Sequence, residues 1–289
     1  MRLFPLWMKE LGRSDVQIIG CDLKLHDEAE AYRRSVNQIK YDPLSLGALV
    51  TTHKIDLLEA ARDMFDYIDP YAELCGEISC ISKDNGRLEG HAKDPISVGL
   101  SMNSIIPEGY FINSGAHVLI FGAGGSGIAT VIHLASENNI GGVPSKVIVV
   151  NRSKPRLDRL KEIVRNLNTE MNIELILNED PIKNDLNMSK LPDYSFVINA
   201  TGMGKDRPGS PITDDGIFPT NGIAWDYNYR GELDFLRQAE RQVLTRKIKI
   251  EDGWIYFING WTQVISQVLH IEINGDLLKR LTVIAENVK

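Results

Sequence analysis

The stretch Val118-Leu119-Ile120-Phe121-Gly122-Ala123-Gly124-Gly125-Ser126-Gly127 joins a run of four apolar residues to a glycine-rich loop. A helical pattern of apolar residues follows at once, through Ile128, Val131, Ile132 and Leu134. A strand, a glycine loop and a helix in that order allow the backbone to approach a pyrophosphate, and the helix N-terminus supplies amide donors and partial positive charge. The stretch therefore predicts a dinucleotide-binding unit.

Three further apolar runs follow this loop, at Lys146–Val150, Phe196–Ala200 and Gly222–Trp225. The intervals between them are long enough for crossover helices. Continuous rather than alternating apolar runs indicate strands covered on both faces, as in a parallel sheet between two helix layers. We therefore predict an α/β fold in which residues 106–261 form a doubly wound domain of Rossmann type.

The first 105 residues predict a separate N-terminal α/β domain that binds the substrate. Val16–Gly20 and Gly47–Thr51 are strand-like, and Ile55–Ala61 has a helical pattern. Residues 262–289 predict two further helices. These either close the Rossmann sheet or return to the first domain, and the sequence leaves both alternatives open.

Composition narrows the class of protein. Hydrophobic residues make up 43% of the chain and charged residues 25%, a balance typical of soluble globular proteins. No apolar run approaches the roughly 20 residues that span a bilayer, and Pro5 and Lys9 interrupt the apolar N-terminus, which does not resemble a signal peptide. We expect a cytoplasmic protein without a membrane partner.

The net charge argues against a nucleic-acid partner, and the spacing of cysteines and histidines argues against a metal site. A net charge of -7 disfavours nucleic acid. The three cysteines lack the spacing of a disulfide framework or a zinc ribbon, and His26, His53 and His91 lack metal-ligand spacing, so we expect no metal. We expect a small-molecule substrate, and a homodimer remains an open alternative.

The end of the second strand indicates which nucleotide is bound. An NAD enzyme usually carries an acidic residue there for the adenosine ribose. This chain has Asn151-Arg152-Ser153-Lys154-Pro155-Arg156 instead. Arg152 and Arg156 are suited to bind a 2′-phosphate with planar donors, and Ser153 adds a hydroxyl. The turn predicts NADP(H), with a solvated cluster of charges as the alternative.

Together, the glycine loop and the Asn-Arg-Ser turn resemble the shikimate and quinate dehydrogenase family, and further motifs extend the resemblance over most of the chain. In the first domain, Gly47 to Lys54 and the segment from Gly86 to Asp94 are similar to the two segments that carry the family's catalytic lysine and aspartate. The resemblance implies Lys54 and Asp94 as the catalytic pair. It also implies substrate contacts from Thr51, Ser79, Tyr229 and Gln267, and cofactor contacts from Asn199, Ala200, Thr201 and Gly260 besides Gly122 to Gly127 and the basic turn.

The chemistry of the pair follows from the reaction that the resemblance implies. Reduction of a ketone builds negative charge on oxygen, so a proton donor is needed, and the reverse reaction needs the same group as a base. Lys54 is predicted at the start of a helix, where the helix dipole disfavours the ammonium form, whereas a nearby Asp94 favours it. As alternatives, Lys54 is a solvated lysine of a first helical turn, and Asp94 followed by Pro95 is a helix N-cap.

The resemblance breaks down where the family binds the carboxylate of its substrate with a Ser-x-Ser pair. This chain has Gly20-Cys21-Asp22-Leu23-Lys24-Leu25-His26 in that region, and the next serine after this stretch is Ser35. Lys24 and Arg33 are alternative carboxylate ligands. We expect a related cyclic polyol or hydroxy acid as the substrate, with shikimate a poor one. A non-catalytic NADP-binding sensor and an enzyme of the methylenetetrahydrofolate dehydrogenase type remain alternatives.

Overall fold

A computed structural model describes residues 2–167, 169–205 and 207–289. The chain divides into two units, Met1–Lys93 with Ile258–Lys289, and Asp94–Phe257. The predicted boundary near residue 105 and this division differ by one helix, Asp94–Ile105, which lies in the second unit. Gly99 of this helix faces the ring of His133, and a Cβ atom on Gly99 would lie 2.6 Å from His133 Nδ1. Such close packing explains why the helix belongs to the second unit.

The first unit contains a four-stranded mixed sheet in the order β1-β3-β4-β2. Strands β1 and β4 pair antiparallel with β3, and β2 pairs parallel with β4. Asn85 and Gly86, both with positive φ, form the tight turn between β3 and β4. The elements are α1 Leu3–Glu10, α2 Ala29–Tyr41, β1 Gly47–Leu49, α3 Lys54–Ala61, a 3₁₀ turn Arg62–Met64, β2 Tyr67–Ile68, α4 Pro70–Cys75, β3 Cys80–Asp84 and β4 Arg87–His91.

The strand predicted at Val16–Gly20 was wrong. These residues form no regular secondary structure, and the Ile19 side chain is 82% exposed. An apolar pattern predicts a strand only if a neighbouring strand and a core receive it. No described strand pairs with this segment.

The second unit confirms the predicted Rossmann-type fold. Its six strands are all parallel, in the order β10-β9-β8-β5-β6-β7, and the order reverses between β5 and β8. The elements are α5 Asp94–Ile105, α6 Tyr110–Ser114, β5 Val118–Phe121, α7 Gly125–Leu134, β6 Val147–Asn151, α8 Lys154–Asn166, β7 Ile173–Leu177, α9 Pro181–Met188, β8 Phe196–Asn199, β9 Ile223–Asp226, α10 Asp234–Glu240, α11 Val243–Arg246 and β10 Lys249–Glu251.

Two strands of this sheet, β7 and β10, were not predicted. Both lie at its edges. Each carries charged or partly exposed residues, so neither has the continuous apolar run by which the four central strands were found.

The last two helices are α12 Trp254–Leu269 and α13 Gly275–Glu286. Helix α12 begins in the second unit and ends in the first, and α13 lies in the first. Within the first unit, the indole N–H of Trp7 in α1 donates to the carbonyl of Leu281 in α13 at 2.8 Å. The terminal helices therefore return to the first domain, which was one of the two expected outcomes. No helix of the described residues combines the length and the apolar character that a membrane crossing requires.

Helix α7 carries a buried histidine. His133 is 4% exposed, and its Nε2 has no hydrogen-bond partner among the described residues. Burial lowers the pKa of His133 to about 4, because the imidazolium would lose its hydration. The fold therefore holds this ring in its neutral form.

Candidate functional site

The glycine loop between β5 and α7 has the close backbone contacts that its sequence predicts. Gly122 has φ +110°, and a Cβ atom there would lie 2.6 Å from the carbonyl oxygen of Ala200 at the end of β8. A Cβ atom on Gly127 would lie 2.2 Å from the carbonyl oxygen of Gly122. Both positions therefore require glycine. The loop places the N-terminus of α7 at the carboxyl edge of the sheet, where its free N–H groups favour an anion.

The predicted basic turn lies beside this loop. Asn151 ends β6; its side-chain oxygen accepts a hydrogen bond from the Ala123 N–H at 3.4 Å, and its side-chain N–H donates to the Ser153 carbonyl at 3.2 Å. A Cβ atom on Gly124 would lie 3.9 Å from Nη1 of Arg156. The structure therefore brings Asn151 and Arg156 to the glycine loop.

The charges at the start of α8 fit both a bound anion and the alternative of a solvated cluster. Arg156 lies in the first turn of α8, which contains no acidic residue, and Arg152 is exposed just before the helix. Cations at a helix N-terminus are disfavoured by the helix dipole. A phosphate between these guanidinium groups would offset that repulsion.

Asn199 and Asp226 form a buried polar group at the ends of β8 and β9. The Asn199 amide donates to Asp226 Oδ2 at 2.9 Å, and its oxygen accepts from the Thr201 N–H at 3.1 Å and the Thr201 hydroxyl at 2.6 Å. Asp226 is fully buried, and burial raises its pKa to about 7 despite hydrogen bonds from Asn199 and Asn228. The group fixes the turn Ala200-Thr201, against which Gly122 packs.

In the first unit, backbone hydrogen bonds join the ends of three strands. The Val50 N–H donates to the Ser79 carbonyl, and the Ser79 N–H donates to the His91 carbonyl, each at 2.9 Å. Lys54 begins α3 four residues after Val50, and its carbonyl accepts from Ile78 at 3.0 Å. The structure thus brings Thr51, Lys54 and Ser79 to one edge of the sheet.

Asp94 begins α5 directly after residue Lys93, which ends the first unit. Lys54 and Asp94 are both half-buried. An acidic residue in a first helical turn is favoured by the helix dipole. The position of Asp94 therefore fits either of its two predicted roles.

Lys93 was not identified from the sequence, although it links two of the predicted substrate residues. Its N–H donates to the Ser79 hydroxyl at 2.8 Å, and its ammonium donates to Gln267 Oε1 at 2.6 Å. The only signal in the sequence that could have identified Lys93 is its position next to Asp94, a residue of a predicted motif. The Gln267 oxygen, predicted to contact the substrate, is therefore engaged by Lys93.

A buried polar network lies behind Gln267 in the same unit. Gln267 Nε2 lies 3.5 Å from the Ser82 hydroxyl, which is 3.0 Å from His91 Nε2. His91 Nδ1 lies 3.3 Å from a carboxylate oxygen of Asp69. Ser82, His91 and Asp69 are all less than 9% exposed. They resemble a serine–histidine–aspartate triad, but the full burial of Ser82 leaves no room for an attacked substrate, so the network is structural.

Tyr229 belongs to the second unit, and Gly260 belongs to the first. Tyr229 follows β9 in the second unit and packs against Trp254 and Phe257. Gly260, predicted as a cofactor contact, lies inside α12 with open space at its Cβ position. Asp252 and Gly253 precede this helix, and a Cβ atom on Gly253 would lie 2.0 Å from the Tyr227 carbonyl oxygen. The role of Gly260 stays a prediction.

Comparison with known proteins identifies proteins of similar amino-acid sequence. No protein-family model matches the chain. It is 28% identical over 203 residues to the NADP+ shikimate dehydrogenase of Symbiobacterium thermophilum and 25% identical over 196 residues to that of Nitrosopumilus maritimus. The chain is therefore similar in sequence to these shikimate dehydrogenases. These matches cover 69% and 67% of the chain but only 65% and 63% of the relatives' length.

Solved structures of shikimate dehydrogenases and related enzymes share the fold. A shikimate dehydrogenase in complex with NADP+ has a TM-score of 0.72 at 19% identity, with 99% of this chain and 90% of the other covered. A ligand-free 5-ketofructose reductase of Gluconobacter has a TM-score of 0.71 at 21% identity, with 99% and 92% covered. The quinate dehydrogenase of Corynebacterium glutamicum, in complex with NAD, has a TM-score of 0.72 at 18% identity, with 99% and 93% covered.

The segment that lacks the serine pair of the shikimate dehydrogenases has its own contacts. The Tyr32 hydroxyl lies 3.4 Å from the Lys24 carbonyl and 3.2 Å from His53 Nδ1, beside Lys54. Lys24 itself is exposed. Arg33, the other alternative to the serines, donates to Asp63 at 2.9 Å. Arg33 is therefore already engaged by a carboxylate of its own unit.

Proposed function

We propose that this protein is an NADP(H)-dependent dehydrogenase that reversibly oxidises a secondary alcohol of a cyclic polyol or related hydroxy acid. The observation that carries the proposal is the glycine loop at the start of α7, with Arg156 beside Gly124. A Cβ atom at Gly122 or Gly127 would collide with backbone, and the cations at the start of α8 favour a phosphate. The residues present therefore fit NADP(H).

The glycine loop, the basic turn and Asn199 each have a distinct role in this proposal. The N–H groups at the start of α7 bind the pyrophosphate, and Arg152 and Arg156 bind the 2′-phosphate, with Ser153 as a further donor. Asn199 holds the turn Ala200-Thr201 at the edge where the nicotinamide half of the cofactor would lie. When bound, the cofactor would supply the hydride in reduction and accept it in oxidation.

Lys54 is proposed as the general acid in reduction and the general base in oxidation. Its ammonium group donates a proton to the substrate oxygen as negative charge develops there, and in the reverse direction the neutral amine removes the hydroxyl proton. Asp94 is proposed as the second member of the catalytic pair. Thr51, Ser79 and Tyr229 are proposed to contact the substrate hydroxyls, and Gln267 to act through Lys93.

Shikimate is proposed to be a poor substrate. Lys24 is exposed and Arg33 is paired with Asp63, so neither alternative cation replaces the missing serine pair. Each lost hydrogen bond to a buried carboxylate costs roughly 1–3 kcal/mol. Steady-state oxidation of shikimate with NADP+, compared with carboxylate-free cyclic polyols, tests this point. Efficient turnover of shikimate would contradict it.

The decisive test is Lys54→Met, assayed by NADPH absorbance over a panel of cyclic polyols. We expect turnover to fall by about 10²–10⁴-fold, the usual contribution of a positioned general acid. Binding of NADPH should be unchanged. Lys279→Met on the exposed surface of α13 is the matched control and should retain full activity. Normal turnover in Lys54→Met would remove this residue from the mechanism, and NADPH binding without any turnover by the wild type would favour the sensor alternative.

A further inference from the structure

Three aromatic side chains of the second unit form a cluster, and only one of them, Tyr229, has a role in the proposed function. We call Tyr229, Trp254 and Phe257 the outer aromatic cluster. Trp254 and Phe257 are stacked with an interplanar angle of 17° and a centroid distance of 5.1 Å. Tyr229 lies 5.3 Å from Trp254 and 4.7 Å from Phe257. All three rings are half-buried, unlike the fully buried Trp225 of the core.

Strand topology locates this cluster relative to the glycine loop. Tyr229 follows the carboxyl end of β9, and Trp254 follows the carboxyl end of the neighbouring parallel strand β10. The carboxyl ends of parallel strands share one edge, so the cluster lies on the same edge as the glycine loop. The basic turn follows β6, on the other side of β5, and marks the adenosine side of the edge. The outer aromatic cluster is therefore on the nicotinamide side, where a substrate would react.

Rigid contacts hold the cluster in place. Gly253 packs against the Tyr227 carbonyl, and the Trp254 N–H donates to the Asp252 carboxylate at 2.9 Å. The Tyr227 ring lies 4.5 Å from that of Trp225, and its hydroxyl lies 2.5 Å from Thr130 Oγ1 in α7. The outer aromatic cluster is thus anchored both to the core and to the helix of the glycine loop. Rings that are fixed before binding contribute contact area at little entropic cost.

We propose that the outer aromatic cluster is the stacking surface for the ring of the substrate. A cyclic polyol carries its hydroxyls around the rim and presents C–H groups on its faces, so one face is suited to a rigid aromatic surface. Arg230, whose guanidinium carbon is 5.9 Å from the centre of the Tyr229 ring, adds donors for rim hydroxyls. The proposal rests on the proposed function and adds that a ring, rather than an open chain, is selected.

The test uses Trp254→Ala with Trp254→Phe as the matched control. Binding of myo-inositol, quinate and the open-chain polyol sorbitol to the NADP+-saturated protein is followed by intrinsic fluorescence and calorimetry, so turnover is not required. Wild type and Trp254→Phe should bind a cyclic polyol in preference to sorbitol. Trp254→Ala should weaken binding of the cyclic polyol by about tenfold and leave NADP+ affinity unchanged.

Two sets of results would overturn this proposal. One is equal binding of cyclic and open-chain polyols by the wild type, or binding of neither. The other is an equal loss for both polyols in Trp254→Ala, which would show a general structural effect. Failure of the proposed function has a different signature, namely loss of NADP+ binding or absence of turnover while ring-selective binding persists.

Discussion

Substituting single glycines of the loop separates the contribution of the loop to folding from its contribution to binding. In Gly127→Ala, the new Cβ atom would lie 2.2 Å from the Gly122 carbonyl oxygen and 3.1 Å from its carbon. Both are backbone atoms in the buried contact between β5 and α7, so the elements must move apart. Overpacking of this kind costs about 3 kcal/mol. With roughly 2–4 °C lost per kcal/mol in a domain of this size, we expect Tm to fall by about 6–12 °C.

Gly124→Ala is the matched substitution on the same loop. Gly124 has φ -88°, which alanine adopts readily, and its Cβ would meet only Arg156 Nη1 at an ordinary 3.9 Å. We expect a change of no more than about 1 kcal/mol in the free energy of unfolding. The methyl group would nevertheless keep a pyrophosphate from the loop. Loss of one charge-assisted hydrogen bond, about 1.5–3 kcal/mol, would raise the Kd for NADPH by roughly 10–150-fold.

Thermal unfolding and calorimetric NADPH titration of both variants form one experiment. Wild-type NADPH affinity in Gly124→Ala would show that the loop does not receive the pyrophosphate. A wild-type Tm in Gly127→Ala would show that β5 and α7 do not approach as closely as described.

Three further predictions concern electrostatics. The pKa of Asp226 is raised to about 7, so its contribution to the free energy of unfolding decreases as pH rises above about 4. The pKa of His133 is lowered to about 4, so its contribution decreases as pH falls below 6.5. In urea titrations over this window, the free energy of unfolding should therefore rise with pH in Asp226→Asn and fall with pH in His133→Leu, each by up to about 1.4 kcal/mol per pH unit. A rise in both variants would contradict the assignment of Asp226, and a fall in both would contradict that of His133. Lys93→Met should raise the substrate KM by roughly 10–100-fold at unchanged NADPH affinity, with Gln267→Ala smaller in the same direction; an unchanged KM would show that the pair is structural. Arg152→Ala should reduce the preference for NADPH over NADH in competitive titration, and unaltered discrimination would indicate a solvated charge.

The features predicted correctly share a local cause. The four central strands of the Rossmann sheet are buried on both faces, so their apolar runs are continuous in the sequence. The edge strands β7 and β10 have one side open to solvent and lack this signal. Val16–Gly20 has an apolar pattern but no strand partner, so pattern alone gave the wrong element there.

The candidate site also contains features that a local sequence pattern predicts and features that it does not. The glycine loop was predictable because a strand, a loop with four glycines and a helix follow one another directly in the chain. Lys93 was missed because its partner Gln267 is 174 residues away. No local pattern encodes a hydrogen bond between residues so distant in sequence.

The amino-acid sequence alone therefore determined the class of fold, the glycine loop and the residues from which the catalytic pair is proposed. These depend on periodicity, on the backbone freedom of glycine and on short motifs, all of which act between neighbours in the chain. Tertiary structure alone decided that the C-terminal helices return to the first unit, that Lys93 joins Ser79 to Gln267, and that Asp226 is buried enough to shift its pKa. Burial and long-range contacts depend on which surfaces pack together, and this is a property of the folded chain as a whole.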